Sequence, residues 1–297
     1  MKTIAVLTER NIKIFFKDKG TLFTSLLAPL ILLVLFILFL GDVYKDSFLS
    51  CLPEGIAVTE KQANGFAGGF LISSLLAVCC VSVAFCANMQ MVQDKVTGVI
   101  GDFTVAPYKK SALSISYFLA TAIITISICY IALCVGLIYI ACVGWYLSVG
   151  QVFSIFLDVL LLSTFGTAIS SVICHFLKSQ GGITAVSVTV SSVYGFICGA
   201  YMPISQFAKA IQTIVSFLPA TYGTGLLRTH FLSGVLESLN MPEQAIEGVR
   251  DAFDANLYFF ENQVSLGAMY AILCVALVVL VGVFVLLNVV RKKKSKK

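Results

Sequence analysis

The sequence predicts an all-α integral membrane protein with six transmembrane helices, and three observations lead there. Charged side chains are absent from Ser111 to Leu157 and from the stretches 20–41, 62–93, 179–208 and 262–290. About 20 apolar residues in a helix cross a hydrocarbon core of about 30 Å, because each residue rises about 1.5 Å and satisfies its own backbone groups. The composition is 59% hydrophobic and 12% charged with a mean hydropathy of +0.97, where soluble domains carry about 25% charge. Finally, lysine and arginine are placed unevenly along the chain, which gives the spans a direction.

Apolar length and turn signals place helices at about 22–41, 66–87, 112–142, 152–176, 183–201 and 264–290, the third long enough to tilt or to project from the bilayer. Residues 1–21 alternate Ile4, Leu7, Ile14 and Phe15 with Lys2, Arg10, Lys13, Lys17 and Lys19. That pattern suits an amphipathic helix in the inner leaflet, although it also suits a solvated basic leader that sets topology. With Met1 inside, the segments 1–21, 88–111, 175–181 and 291–297 hold fifteen of the 20 basic residues, against Lys45, Lys61, Lys209, Arg228 and Arg250 outside. Both termini are therefore expected in the cytoplasm. The tail 291–297, RKKKSKK, reads as a headgroup anchor. Nine of the ten cysteines fall in or at spans, leaving only Cys51 in a loop, so no disulfide framework is expected. No cleavable signal peptide is expected either, since the basic start lacks an apolar stretch with a cleavage site.

The pattern excludes several functions. No GxxxxGK[ST], HExxH, CxxC or serine-elbow motif occurs, so the chain is not expected to be an enzyme or to hold a nucleotide or metal. Ion-coupled carriers keep ionisable groups in their spans. Here Asp158 is the acidic candidate, expected near the outer interface against water or a helix partner, and His175 lies at the inner end of the same span. Neither an inverted repeat nor a catalytic constellation supports a carrier or a lipid enzyme. An energy source on another subunit fits this interior better.

The segment 88–111, NMQMVQDKVTGVIGDFTVAPYKKS, is too long for a tight turn and too polar for lipid. Its acidic-basic pair Asp94-Lys95, then Gly98, then Pro107 resembles the cytoplasmic coupling segment of the ABC-2-type permeases, the membrane halves of bacterial exporters related to the eukaryotic G subfamily (type V). Gly101, followed by Asp102, stands where that family has a Glu. The likeness continues through Arg10, Lys17-Asp18, Pro29 and Gly41. It includes Gly199-Ala-Tyr-Met202-Pro203 after the fifth span, then Pro219-Ala-Thr-Tyr222 and Arg228. The resemblance implies that Asp94, Lys95, Gly98, Gly101, Asp102 and Pro107 meet the ATPase, and that Gly199, Met202, Pro203, Pro219, Tyr222 and Arg228 belong to an extracellular gate within 202–263.

Apolar residues recur with helical period at 204, 207, 208, 211, 214, 215 and 218. Periodicity alone allows a helix lying on the surface or one dipping into the outer leaflet. The resemblance implies the second, a re-entrant helix, with a small acidic cap from Ser233 to Asn262. Small residues crowd the second and fifth spans, which in lipid serves close helix packing. In the family those helices face one another across the path, which makes Ser73, Ser74, Phe85, Met89, Ser191, Ser192 and Phe196 candidate cavity lining.

The sequence is thus read as the permease subunit of an ATP-driven exporter in a bacterial inner membrane, carrying an amphipathic or lipid-like cargo. Its expected partners are two copies of a cytoplasmic ABC ATPase that hold ATP and Mg, a second permease copy or a related permease, and membrane lipids, with no nucleic acid. A lipid-linked polysaccharide or teichoic-acid polymer is the alternative cargo.

Overall fold

The computed structural model describes residues 2–53, 56–100, 110–260 and 262–294, apart from the side chains at 110, 180, 187, 191 and 290–294. Helix α1 (Lys2–Lys17) is amphipathic and buries Leu7, Thr8, Asn11 and Phe15. Asp18 then caps α2 (Lys19–Leu35), accepting from the backbone N–H groups of Gly20 and Thr21 and from the Thr21 hydroxyl. These bonds hold the Asp18 carboxyl below the usual aspartate range. Because the folded-state pKa is depressed, the cap contributes fully above the ordinary aspartate pKa and is lost as pH falls through the folded value. Asp18→Ala is expected to cost about 0.5–1 kcal/mol at pH 7 and less at pH 3. Thermal unfolding in detergent at both values checks this; an equal loss at both would mean that the carboxylate does not cap.

Helix α2, a π turn at Phe36–Leu40 and α3 (Gly41–Ser50) form one run, so the first span is longer than the expected 22–41. Charges at Asp42, Lys45 and Asp46 end the apolar stretch without ending the helix, because Tyr44 and Phe48 beyond it stack on Phe70 and Phe66. Those two rings belong to α4 (Glu60–Val96), the central helix, with 94% of its most apolar stretch buried. The second span thus continues to Val96, and residues 88–96 are helix where the sequence suggested loop.

Helices α5 (Lys110–Val143) and α6 (Val149–Phe176) pack on α4 and on each other, and α7 (Gln180–Ile197) packs chiefly on α4. The closest α4–α6 approach is at Gly166, where a Cβ would come within 2.5 Å of the Cys80 carbonyl oxygen. The outer segment follows: a 3₁₀ turn at Ile204–Gln206, α8 (Lys209–Ser216), α9 (Pro219–Ser238), α10 (Glu243–Ala252), and a hairpin pairing β1 (Tyr258–Phe259) with β2 (Asn262–Gln263). Helix α11 (Leu266–Lys294) closes the described chain.

Among the described residues, five helical runs are long and apolar enough to cross a membrane: Lys19–Ser50, Glu60–Val96, Ser111–Val143, Val149–Phe176 and Leu266–Val289. The expected fifth span corresponds to a shorter apolar helix, Gly181–Ile197. The outer segment also departs from expectation. In place of one helix over 204–218 there is a turn and the short α8, and the expected cap begins inside α9. Helix α9 packs against α4, α6 and α11 and buries residues on every side, among them Tyr222, Leu226, Phe231 and Leu236. A helix buried on all sides, with polar and apolar residues mixed around it, shows no stripe, so periodicity did not reveal it.

Candidate coupling junction, cavity and outer gate

At the inner end of α4 the sequence places Gln90, Asp94 and Lys95 one turn apart or adjacent, so a helix presents them together toward α1, α5 and α6. Asp94 is 3% exposed. Its Oδ2 accepts from Arg10 of α1 at 2.8 Å and from the Tyr117 hydroxyl of α5 at 2.5 Å, while Oδ1 accepts from Gln90 at 2.8 Å. Lys95 donates to the carbonyls of Cys174 and His175 at 3.0 and 3.2 Å, satisfying the last turn of α6. Asp94 and Lys95 therefore bind the surface helix and three spans into one unit. Less than two turns earlier on α4, Asn88 donates to Ser170 and Ser171 of α6 and accepts from Thr121 of α5.

Helix α4 stops at Thr97, and Gly98 has φ +82° with open space around it. The left-handed backbone that ends the helix favours glycine at 98. Gly101, Asp102 and Pro107 lie outside the described residues.

The candidate lining residues divide. Ser73 and Ser74 are buried, Ser73 bonding the Phe70 carbonyl and Ser74 accepting from Arg228. Phe85 lines a cavity of about 230 Å³ among α4, α6, α7 and the start of α9, with Phe165, Ile169, Val193, Tyr194 and Pro219. No charged side chain lines it. Met89 is half-buried and packs on the inner apolar cluster. Ser192 and Phe196 face outward from α7 beside Val188 and Val193, and the Ser191 side chain lies outside the described residues.

At the outer end most of the gate candidates converge. Gly199, at φ +69°, ends α7, and its carbonyl accepts from Arg228 of α9. Arg228 also donates to Asp254 Oδ2 at 2.8 Å and to Ser74 at 3.3 Å, and its guanidinium lies 4.6 Å from the Phe70 ring centroid. A Cβ at Gly199 would come within 3.0 Å of both Arg228 and Asp254. Asp254 additionally accepts from the backbone N–H groups of Ile204 and Ser205 at 2.5 and 3.0 Å. Burial pushes the Asp254 carboxyl up against the opposing pull of Arg228 and those donors. Pro203 is buried, Met202 half-buried, Pro219 starts α9, and Tyr222 donates to the Ser216 carbonyl at 2.6 Å, tying α8 to α9. Arg228 is thus a buried lock, and the sequence reading did not identify its partner, Asp254.

A second buried cluster was half legible. Asp158 of α6 is fully buried, held by His230 of α9 at 2.6 Å and by the Tyr270 hydroxyl of α11 at 2.5 Å. A lone acid in an apolar run signals a partner, but nothing in the sequence indicated His230, 72 positions away. The outer end of α9 is fastened by two capping-box glutamines. Gln62 and Gln151, which close the N-termini of α4 and α6, also donate to Ser238 and Ser233. Among the described residues no group of His, Cys, Asp and Glu is arranged to hold a metal.

A family model described as ABC-2 type transporter matches residues 2–232. No curated protein matches the chain.

Proposed function

Because the chain belongs to the ABC-2 type transporter family, whose members are permeases that work with an ABC ATPase, we propose that it is the membrane subunit of an exporter of the type V, G-subfamily-like class. Two copies, or this chain and a related permease, enclose a path for an amphipathic or lipid-like cargo, with a cytoplasmic ATPase under each. Hydrolysis of ATP, with its Mg, takes place on those subunits. The observation that carries this reading is the outward face of α7. Val188, Val193 and Phe196 are exposed beside a cavity of about 230 Å³. That is below the roughly 300–1,000 Å³ of sites that enclose a drug-sized molecule, so a second copy across this face completes the path. Its uncharged lining favours apolar groups over ions or sugar phosphates.

Transmission follows from α4. Closure of the ATPases moves the segment after Gly98, which continues the chain from α4, and α1, which is joined to α4 through the Arg10–Asp94 pair. From Asp94 to Ser74 the helix runs about 30 Å, so a tilt imposed inside reaches Arg228 outside. The hairpin of α8 and α9 is the re-entrant gate, Gly181–Ile197 is the fifth of six spans, and both termini lie in the cytoplasm of an inner membrane.

Two measurements test this. Ser192→Cys should form a crosslink between two permeases, sensitive to nucleotide when the ATPase is present. A membrane-impermeant thiol reagent should reach Cys51 from outside intact cells and Lys294→Cys only after permeabilisation. The reverse labelling pattern, or failure to copurify with an ABC ATPase, would remove the proposal.

A further inference from the structure

The outer hairpin ends in an apolar knob that the transport path does not use. Phe217, at the end of α8, meets Phe259 and Phe260 edge to face at 5.2 and 6.2 Å between centroids, and Phe259 meets Phe260 at 5.0 Å. The three rings are 59%, 38% and 65% exposed. Phe260 also adopts φ +55°, a left-handed backbone that Gly or Asn tolerates and a bulky aromatic residue does not favour. An aromatic side chain retained at such a position points to a task for the ring itself.

Depth along the fold says what meets these rings. Trp145 and Tyr146 lie between α5 and α6, where aromatic side chains of membrane proteins meet headgroups. The Tyr146 carbonyl oxygen packs directly on Gly234 of α9. Moving inward along α9, His230 joins Tyr270 through Asp158, and Gly225 lies near Met269. The first turns of α11 therefore pack beside α9 about 6–14 Å along its axis from the level of Tyr146. Phe217 and Phe259 border one open groove with Asn262, Gln263, Ala268 and Ile272, and among the described residues no charged side chain lines it. Beyond Ile272 the apolar face of α11 stays exposed at Val275, Val278 and Val279, on a helix long and apolar enough to cross a membrane.

We propose that Phe217, Phe259 and Phe260 form a membrane anchor that inserts among the acyl chains of outer-leaflet phospholipids, the adjoining groove holding one chain. The anchor sets the depth of the α8–α9 hairpin, so bilayer packing acts directly on the gate. The naming of the leaflet and of the gate rests on the reading proposed above. Should Cys51 prove cytoplasmic, the anchor moves to the other leaflet and the quenching expected below is unchanged.

The chain has one tryptophan, which makes depth measurable. In a Trp145→Phe background, Phe260→Trp and, separately, Phe217→Trp are placed in phosphatidylcholine nanodiscs with the partner ATPase bound. Lipids brominated at shallow acyl positions should remove most of the emission of each probe, while aqueous iodide should leave it nearly unchanged. Strong iodide quenching would put the rings in water. Protection from both quenchers would mean that protein, such as the second permease, covers them, and either result overturns the proposal. The Phe217 probe sits at a helix end with ordinary backbone, so it remains informative if Phe260→Trp fails to fold.

Discussion

Arg228→Ala is expected to lower the stability of the purified protein by about 3–5 kcal/mol, the largest loss for any substitution discussed, because it strands a buried carboxylate. Arg228 and Asp254 have side chains only 1% and 4% exposed, so neither charge can turn to water when its partner is removed. The loss extends beyond the ion pair, since the same guanidinium holds the Gly199 carbonyl at the end of α7, Ser74 on α4 and the Phe70 face. Asp254→Asn should cost less. Asparagine tolerates the φ of +53° at that position and can still accept one of the two backbone donors. Combining Arg228→Met with Asp254→Asn should recover part of the loss, because no uncompensated charge then remains. Thermal unfolding in one detergent compares the three variants. A loss below about 1 kcal/mol for Arg228→Ala would mean that the carboxylate is hydrated and that the outer lock is weak.

Asp94→Ala should abolish most transport while leaving the ATPase attached through the segment beyond Gly98. Its carboxylate joins Arg10, Tyr117 and Gln90, so removing it costs about 2 kcal/mol of stability and, in the proposed mechanism, disconnects α1 from the inner end of α4. Proteoliposomes containing the ATPase should then show hydrolysis that no longer responds to cargo. A double-mutant cycle with Arg10→Ala separates this from a general folding defect: if the two residues act as a unit, the second substitution adds little to the first. Full transport by Asp94→Ala would place the coupling contact elsewhere.

The same residue shows how far a sequence reading reaches. Asp94 and Lys95 stood out because they match the family's coupling segment, and that resemblance implied loop residues facing a partner protein. The structure turns them inward, since α4 continues to Val96 and supplies partners from segments 84 and 79 positions away. Arg228 was visible through the same resemblance, and Asp158 as an isolated charge in an apolar stretch. Asp254 and His230 were not, because among outer-segment residues a single acid or histidine looks like any solvated side chain.

Hydropathy by itself determined that this chain belongs in lipid and approximately where it crosses, because transfer of about 20 apolar residues depends on composition and length and not on arrangement. It left α9 unseen, since a helix that mixes polar and apolar residues all round carries no period, and it ended the first two spans early, since charge marks the edge of hydrocarbon and not the end of a helix. Only the tertiary structure decided which charges pair, which small residues admit a neighbouring backbone and which rings remain exposed. Those outcomes depend on contacts between segments tens to hundreds of residues apart, whose energies come from burial and geometry that the linear order of residues does not encode locally.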